Sequence, residues 1–261
     1  MRKTELYNNI AKLVSKETRK YTPQLFSVEN HQSKLPPRSD ASSVLLTVGK
    51  EYFLITAGHV VKGFDLKNIG VMLDNYFYTL GGDLGFLESN DADYYEPNNY
   101  DIAIFKLDKA TVITLKERYD FLTLEKLEFH HYSSLDSRYL IFGYPGKLTQ
   151  KNYPTKRILP SSLILRTVGL PPTYYLKESI NIGKILTLIV DQNNIGSSGT
   201  PALTQLPDLG GISGCGVWSI SNLHSESPEF KLVSILTGEN YTKTVLYSTK
   251  VDFLSKWLAQ A

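Results

Sequence analysis

The chain is poor in the residues that would mark several classes of protein. It has 1 cysteine in 261 residues, so no disulfide can form within it, and a reducing compartment such as the cytoplasm is expected. Its 28 basic against 26 acidic residues give a net charge of +2, scattered along the chain, whereas nucleic-acid binding needs a concentrated basic face. No apolar run approaches the ~20 residues of a membrane-spanning helix. We therefore expect a cytoplasmic protein with neither a nucleic-acid nor a membrane partner.

Metal ligands are also scarce. The 5 histidines are scattered apart from the adjacent pair His130 and His131, which would point to opposite faces of a strand. We expect no metal site and no cofactor.

Short apolar runs separated by turn residues fill the chain from about residue 42 onward. They include "SVLLTVG", "YFLITAG", "GVMLDNYFYTLGG", "DIAIFKL", "RYLIFGYPG", "SLILRTVG", "ILTLIVD", "GVWSI" and "KLVSILTG". Their spacing is typical of an antiparallel β-barrel or sandwich.

One amphipathic helix is predicted at each end of the chain. Residues 4–19 carry an apolar face formed by Leu6, Ile10, Leu13 and Val14. In the tail, Thr249 and Asp252 resemble a capping box ahead of an apolar face, which predicts a closing helix.

Three short motifs carry residues that could do chemistry. In "FLITAGHVV" an apolar strand leads into small residues and His59, in "NYDIAIFKL" Asp101 opens an alternating strand, and in "GGISGCGVW" glycines surround Ser213. A buried carboxylate needs a hydrogen-bond donor, and a glycine-rich turn lets backbone N–H groups converge. Taken singly, the motifs are equally typical of a turn histidine, a strand-capping aspartate and a glycine-rich hairpin.

In the order His, Asp, Ser, these motifs resemble those of the trypsin/chymotrypsin-like serine proteases. That family has Thr-Ala-Ala/Gly-His at its base, Asp-Ile-Ala-Leu-like residues at its acid and Gly-Asp-Ser-Gly-Gly-Pro at its nucleophile. The segment "YLIFGYPG" is similar to the start of the second barrel in bacterial relatives. The resemblance covers roughly residues 42–258, and Val60 stands where secreted relatives often have a cysteine.

The resemblance implies an all-β-dominated, chymotrypsin-like fold of two antiparallel six-stranded β-barrels with N- and C-terminal helices. We expect an N-terminal helix and connector at 1–41 and a first barrel with the base and acid at 42–128. A second barrel with the nucleophile follows at 129–247, and a C-terminal helix at 248–261.

Carried onto this sequence, the family's triad consists of Ser213 as nucleophile, His59 as general base and Asp101 as the carboxylate that orients the base. The backbone N–H groups of Gly211 and Ser213 would form the oxyanion hole. The implied function is serine endopeptidase activity on a polypeptide substrate through an acyl-enzyme.

The same alignment of motifs implies a substrate-binding strand formed by "SILTGEN", with Thr237, Gly238 and Glu239 beside the pocket. Glu239 would favour a basic substrate residue or would simply be a solvated loop residue.

Ser198, in "GSSGTPAL", is a second candidate nucleophile. Ser213 is favoured because a strand, a polar loop and a second strand follow it, whereas a segment with two prolines follows Ser198. Segment 191–210 is then expected to be a long loop. An α/β-hydrolase is excluded because neither serine lies in Gly-x-Ser-x-Gly and the acid and base do not follow in the required order.

Two departures from the family pattern lie beside Ser213. Cys215 replaces the second glycine of Ser-Gly-Gly, and Gly216 replaces the usual proline. We expect Cys215 to be a small buried side chain and not a reactive thiol.

The altered motif keeps a second hypothesis open, a catalytically silent fold that binds a peptide or partner. A third hypothesis is regulated proteolysis, with the N-terminal helix docking a regulatory protein or gating the site.

Overall fold

The computed structural model describes residues 3–29, 36–62, 65–74, 76–88, 98–134, 137–152, 157–190, 195–198, 207–222, 228–240, 242 and 244–258. Within these ranges no helix is long and apolar enough to cross a membrane.

The first half of the chain forms two four-stranded sheets. Its strands are β1 (Gln24–Ser27), β2 (Arg38–Ser42), β3 (Val44–Val48), β4 (Glu51–Ala57), β5 (Ile69–Leu73), β6 (Tyr76–Thr79), β7 (Gly82–Glu88) and β8 (Asp101–Leu107). One sheet has the order β2-β1-β5-β6 and the other β3-β4-β8-β7, and the neighbouring strands are antiparallel. The pairing of β4 with β8 brings the motifs of His59 and Asp101 together.

The second half forms a seven-stranded antiparallel sheet and a separate hairpin. Its strands are β9 (Tyr139–Gly143), β10 (Gln150–Asn152), β11 (Arg157–Leu159), β12 (Ser162–Thr167), β13 (Ile185–Ile189), β14 (Ile195–Ser198), β15 (Gly216–Ser221), β16 (Glu229–Glu239) and β17 (Val245–Lys250). The sheet order is β13-β17-β16-β15-β9-β12-β14, and β10 pairs with β11. Ser213 lies in the turn that leads into β15.

Helices are few and mostly short. They are α1 (Lys3–Arg19), α2 (Gly58–Val61), α3 (Lys109–Leu115), α4 (Pro172–Lys177) and α5 (Phe253–Leu258). The predicted mostly β, two-domain chymotrypsin-like fold is confirmed.

A shared apolar cluster joins the two halves. It combines buried side chains from β3, β4 and β8 with others from β15, β16 and the start of α5, among them Val44, Ile55, Ile104, Trp218, Ile235 and Phe253. Burying apolar area between the halves is the main force that holds them together.

Helix α1 packs on the outside of the second half. Val14 is fully buried in a cluster with residues of β9 and β12, such as Phe142. The Arg19 guanidinium lies 5.8 Å from the centre of the Phe142 ring and donates to the Ser162 hydroxyl at 3.2 Å. Leu13 is 46% exposed, and the side chains of Leu6 and Ile10 lie outside the described part of the chain.

The structure differs from the expected elements in several places. Segment 1–41, expected to hold a helix and a connector, also contains β1 and most of β2. The run "GVMLDNYFYTLGG" is two strands, because the chain turns at Asp74, which has a positive φ of 53°. Thr249 lies in β17 and caps no helix, so the closing helix begins later than expected, at Phe253. Within the expected loop 191–210, four residues form the edge strand β14.

Candidate active site

His59 and Asp101 are held together by two hydrogen bonds. Asp101 Oδ1 accepts the backbone N–H of His59 at 2.7 Å, and Asp101 Oδ2 lies 2.5 Å from His59 Nδ1. The Asp101 side chain is 7% exposed and that of His59 is 40% exposed. Because a carboxylate only accepts, this contact places the imidazole proton on Nδ1 and leaves Nε2 as the acceptor nitrogen.

The small residues before His59 lie in tightly packed surroundings. The Thr56 hydroxyl donates to the carbonyl of Ser42 at 2.8 Å, and Ala57 is fully buried at the end of β4. At Gly58, a Cβ would lie 2.8 Å from Asp101 Oδ1, inside van der Waals contact. The Thr-Ala-Gly sequence therefore lets the carboxylate approach the first turn of α2.

The turn around Ser213 depends on two glycines with left-handed backbone. Gly211 has φ of 94° and Gly214 has φ of 87°, where side chains with a Cβ are strained. A Cβ at Gly211 would lie 2.7 Å from the N of Gly146, and one at Gly214 would overlap the Thr56 hydroxyl. We call residues 210–214 the Ser213 turn.

The carbonyl oxygens of residues 210–213 all accept a hydrogen bond. Taken in chain order, the donors are the N–H of Gly146 at 2.7 Å, the hydroxyl of Ser42 at 3.2 Å, the N–H of Cys215 at 3.2 Å and the N–H of Ser42 at 2.9 Å. The C=O and N–H of one trans peptide point in opposite directions. Fixing the carbonyl of one residue therefore also fixes the N–H of the next.

The N–H groups of the same turn divide into two kinds. Those of Ile212 and Gly214 donate to backbone carbonyls, at 2.9 and 2.7 Å. Those of Gly211 and Ser213 have no acceptor within the described residues, and both residues are partly exposed. N–H groups on alternate residues of a glycine-rich turn can donate to an anionic oxygen.

The Ser213 turn lies against the end of β4, next to His59. A Cβ at Gly214 would lie 3.0 Å from the N of Ala57, two residues before His59. The side chains of Ser213 and His59 are both described, and no hydrogen bond joins them. Catalytic contacts of this kind are often long before substrate binds.

The predicted pocket residues are the last three of β16, the strand that holds the Ser213 turn. Leu236 of β16 accepts the N–H of Gly214, and Thr237, Gly238 and Glu239 come directly after it. All three are partly buried, and one carboxylate oxygen of Glu239 is fully buried. Glu239 is therefore the last residue of a strand, not part of a solvated loop.

Cys215 is fully buried behind the turn, as expected. Its side chain packs in an apolar cluster with Ile212 and Val217, while its backbone carbonyl accepts the N–H of Leu236 at 2.9 Å. Burial raises the pKa of the Cys215 thiol far above its ordinary value. The thiol is thus a core group and not a nucleophile.

Ser198, the other candidate nucleophile, ends the edge strand β14. Its backbone pairs with Ser162 of β12. Strands β9 and β12 separate β14 from β15, the strand that follows Ser213. Among the described residues, no group of three His, Cys, Asp or Glu side chains could hold a metal ion.

Two residues that hold the Ser213 turn were not predicted from the sequence. They are Ser42, which bonds to the turn twice, and Gly146, whose N–H holds the carbonyl of Gly210. The motif "YLIFGYPG" marked the region of Gly146, but Ser42 is one of two adjacent serines, and nothing in the sequence separates them.

No protein-family model and no curated protein matches the sequence. Among solved structures, the chain is similar to the scabies mite inactivated protease paralogue S-I1, with 12% identity, a TM-score of 0.54 and coverage of 95% of this chain and 96% of that one. It is also similar to the Vibrio cholerae VesB protease, with 11% identity, a TM-score of 0.53 and coverage of 94% of this chain and 64% of that one. The chain has a trypsin-like serine protease fold. At identities of 12% and 11%, the similarity shows the fold and nothing finer. The names of the neighbours differ in the same respect, since one is an inactivated paralogue and the other a protease.

Proposed function

We propose that the chain is a serine endopeptidase that hydrolyses polypeptide substrates. One observation carries the proposal: the N–H groups of Gly211 and Ser213 have no acceptor among the described residues, and the Ser213 turn packs against the end of β4 that leads into His59. Two N–H groups of one turn that have no acceptor within the described residues support a role in binding an anionic oxygen.

His59 is suited to act as the general base. Its Nδ1–H donates to Asp101, so Nε2 carries the lone pair that accepts the proton of the Ser213 hydroxyl. As His59 becomes positively charged, the buried carboxylate of Asp101 stabilises it.

The reaction proceeds in two displacements. Ser213 Oγ forms a bond to the scissile carbonyl carbon while His59 takes its proton, and the resulting oxyanion accepts hydrogen bonds from the N–H groups of Gly211 and Ser213. His59 then gives the proton to the leaving amine, and the C–N bond breaks to leave an acyl-enzyme. Water, deprotonated by His59, then attacks the ester carbonyl. The bond to Ser213 Oγ breaks, Oγ takes the proton back from His59, and the carboxylic acid product leaves. Loss of one oxyanion donor typically costs roughly 3 kcal/mol of transition-state stabilisation.

The end of β16 is the proposed substrate-binding edge. Its residues 237–239 follow directly on the strand segment that accepts the N–H of Gly214. An extended peptide bound there by its backbone would present its scissile carbonyl to the Ser213 turn.

A fluorophosphonate probe, which forms a covalent bond with an activated serine, tests the proposal directly. We expect the adduct on Ser213 after peptide mapping. Labelling should be lost in Ser213→Ala and in His59→Ala, whereas Ser198→Ala, the matched control, should label like the wild type. An adduct on Ser198 would overturn the assignment.

The competing function is a catalytically silent fold that binds a peptide or partner protein. It is supported by the absence of a hydrogen bond between Ser213 and His59, both of which are described, and by the name of one structural neighbour as an inactivated paralogue. Failure of the folded wild type to label, together with peptide binding that Ser213→Ala leaves unchanged, would establish this function in place of proteolysis.

A further inference from the structure

Ser42, the last residue of β2, uses every polar group it has. Its backbone N–H donates to the carbonyl of Ser213 at 2.9 Å, and its own carbonyl accepts the Thr56 hydroxyl at 2.8 Å. Its Oγ accepts the N–H of Tyr144 at 2.8 Å and donates to the carbonyl of Gly211 at 3.2 Å. Ser42 is fully buried, so no water competes for these bonds.

The hydroxyl of Ser42 connects the Ser213 turn with the segment that holds it from the other side. Tyr144, which donates to Oγ, lies two residues before Gly146, and Gly146 in turn donates to the carbonyl of Gly210. The same oxygen therefore ties together the carbonyl of Gly211 and the segment that orients the Gly210–Gly211 peptide. That peptide carries the unpaired N–H of Gly211.

We propose that Ser42 is a positioning residue whose hydroxyl keeps the Ser213 turn in the shape that directs the N–H groups of Gly211 and Ser213 toward substrate. This inference rests on the proposed function, since those N–H groups are the proposed oxyanion donors. The hydroxyl touches no substrate and acts only through the turn. Its removal leaves the buried N–H of Tyr144 and the carbonyl of Gly211 without this partner, which favours rearrangement of both segments.

Ser43 provides a matched control. It is the next residue, it is equally buried, and its hydroxyl donates to the carbonyl of Pro23 at 2.9 Å, away from the Ser213 turn. Ser42→Ala and Ser43→Ala each delete one buried, hydrogen-bonded hydroxyl and keep the backbone N–H. The two variants differ in whether that hydroxyl contacts the turn.

The first measurement is a comparison of kcat, KM and affinity for a peptide boronic acid, whose tetrahedral adduct places an oxygen in the oxyanion site. We expect Ser42→Ala to lower kcat about 10–100-fold with little change in KM, and to weaken boronate binding by a similar factor, because oxyanion contacts act in the transition state. Ser43→Ala should keep both within about twofold while losing similar thermal stability. Equal kcat and boronate affinity in the two variants would overturn the proposal.

The second measurement does not depend on activity, so it separates this inference from the proposed function. Amide hydrogen exchange reports the bonds made by the N–H groups of Ile212 and Cys215, which close the turn. We expect exchange at both to be faster in Ser42→Ala than in Ser43→Ala by about tenfold or more. Equal protection in the two variants contradicts the role of Ser42, even if the wild type proves to be an active protease. If the wild type never labels but exchange is still faster in Ser42→Ala than in Ser43→Ala, the role of Ser42 in the turn is supported and only the protease function is refuted.

Discussion

Both carboxylate oxygens of Asp101 are bonded to His59, one to its backbone N–H and the other to its ring. The first bond fixes the start of α2 and the second fixes the orientation and tautomer of the imidazole. A single side chain thus positions the proposed base at two points, from the first residue of a buried strand.

Replacement of Asp101 by asparagine should abolish most activity without unfolding the protein. An amide that presents its NH2 to Nδ1 makes that nitrogen an acceptor and moves the proton to Nε2, where it blocks base catalysis. We expect kcat and the rate of fluorophosphonate labelling to fall about 10³–10⁴-fold. Asp108→Asn is the control, because Asp108 accepts the N–H of Thr111 at the start of α3, outside the candidate site. Labelling of Asp101→Asn at the wild-type rate would refute the assignment.

Gly214→Ala should destabilise the protein and inactivate it together. The new Cβ would be strained at a φ of 87° and would overlap the carbonyl of Ser42 and the hydroxyl of Thr56. The strain and the overlap together predict a loss of about 2–4 kcal/mol in the free energy of unfolding, measurable by urea titration. Gly238→Ala is the comparison, since nothing lies within 4 Å of a Cβ there. Its stability should stay within about 0.5 kcal/mol of the wild type.

The thiol of Cys215 should be unreactive in the native protein. It is fully buried, and burial raises its pKa, so neither access nor thiolate formation permits reaction. We expect a colorimetric disulfide reagent to modify no thiol in native buffer at pH 7 or pH 9, and 1 thiol per chain after unfolding in denaturant. Rapid reaction of the native protein at pH 7 would show that the turn opens readily.

Glu128 should make stability depend on pH in the acid range. Burial raises the pKa of Glu128, but hydrogen bonds from His131, at 2.7 Å, and from Ser219, at 2.7 Å, outweigh it, so the net pKa is lowered. A carboxyl with a lowered folded pKa adds stability above its unfolded pKa, near 4.3, and that stability is lost as pH falls through the folded value.

Glu128→Gln should therefore melt below the wild type at pH 7, by about 2–4 °C if one hydrogen-bonded group is lost. The difference in Tm should narrow below about pH 4, as the wild-type carboxyl becomes protonated. Glu125→Gln, at an exposed position three residues earlier, should leave Tm unchanged at both pH values. A difference that stays constant from pH 7 to pH 3 would disprove the linkage.

The residues of the candidate site that were recognisable from the sequence are those whose size is limited by close contacts. Gly58, Gly211 and Gly214 are visible as part of a pattern because a Cβ at any of them would come within 3.0 Å of another atom. Strands β3, β4 and β8 were predictable for a related reason, since their apolar runs are long and buried.

Several of the missed elements are short strands. Strands β1, β2 and β14 have four or five residues each, and their pairing depends on neighbours that no local pattern reveals. The tail was assigned to a helix too early because Thr249 and Asp252 mimic a cap, whereas Thr249 pairs with Ile185 and Ile235 in the sheet. Ser42 and Ser43 are alike in sequence, and only the packing of the two halves distinguishes them.

The bonds from Ser42 cross from a strand of the first half to a turn of the second. The Ser213 turn is consequently complete only while the halves are docked. We expect mild heating or low denaturant to break these bonds before it melts either sheet. Any catalytic activity should then be lost at a lower temperature or denaturant concentration than the sheets.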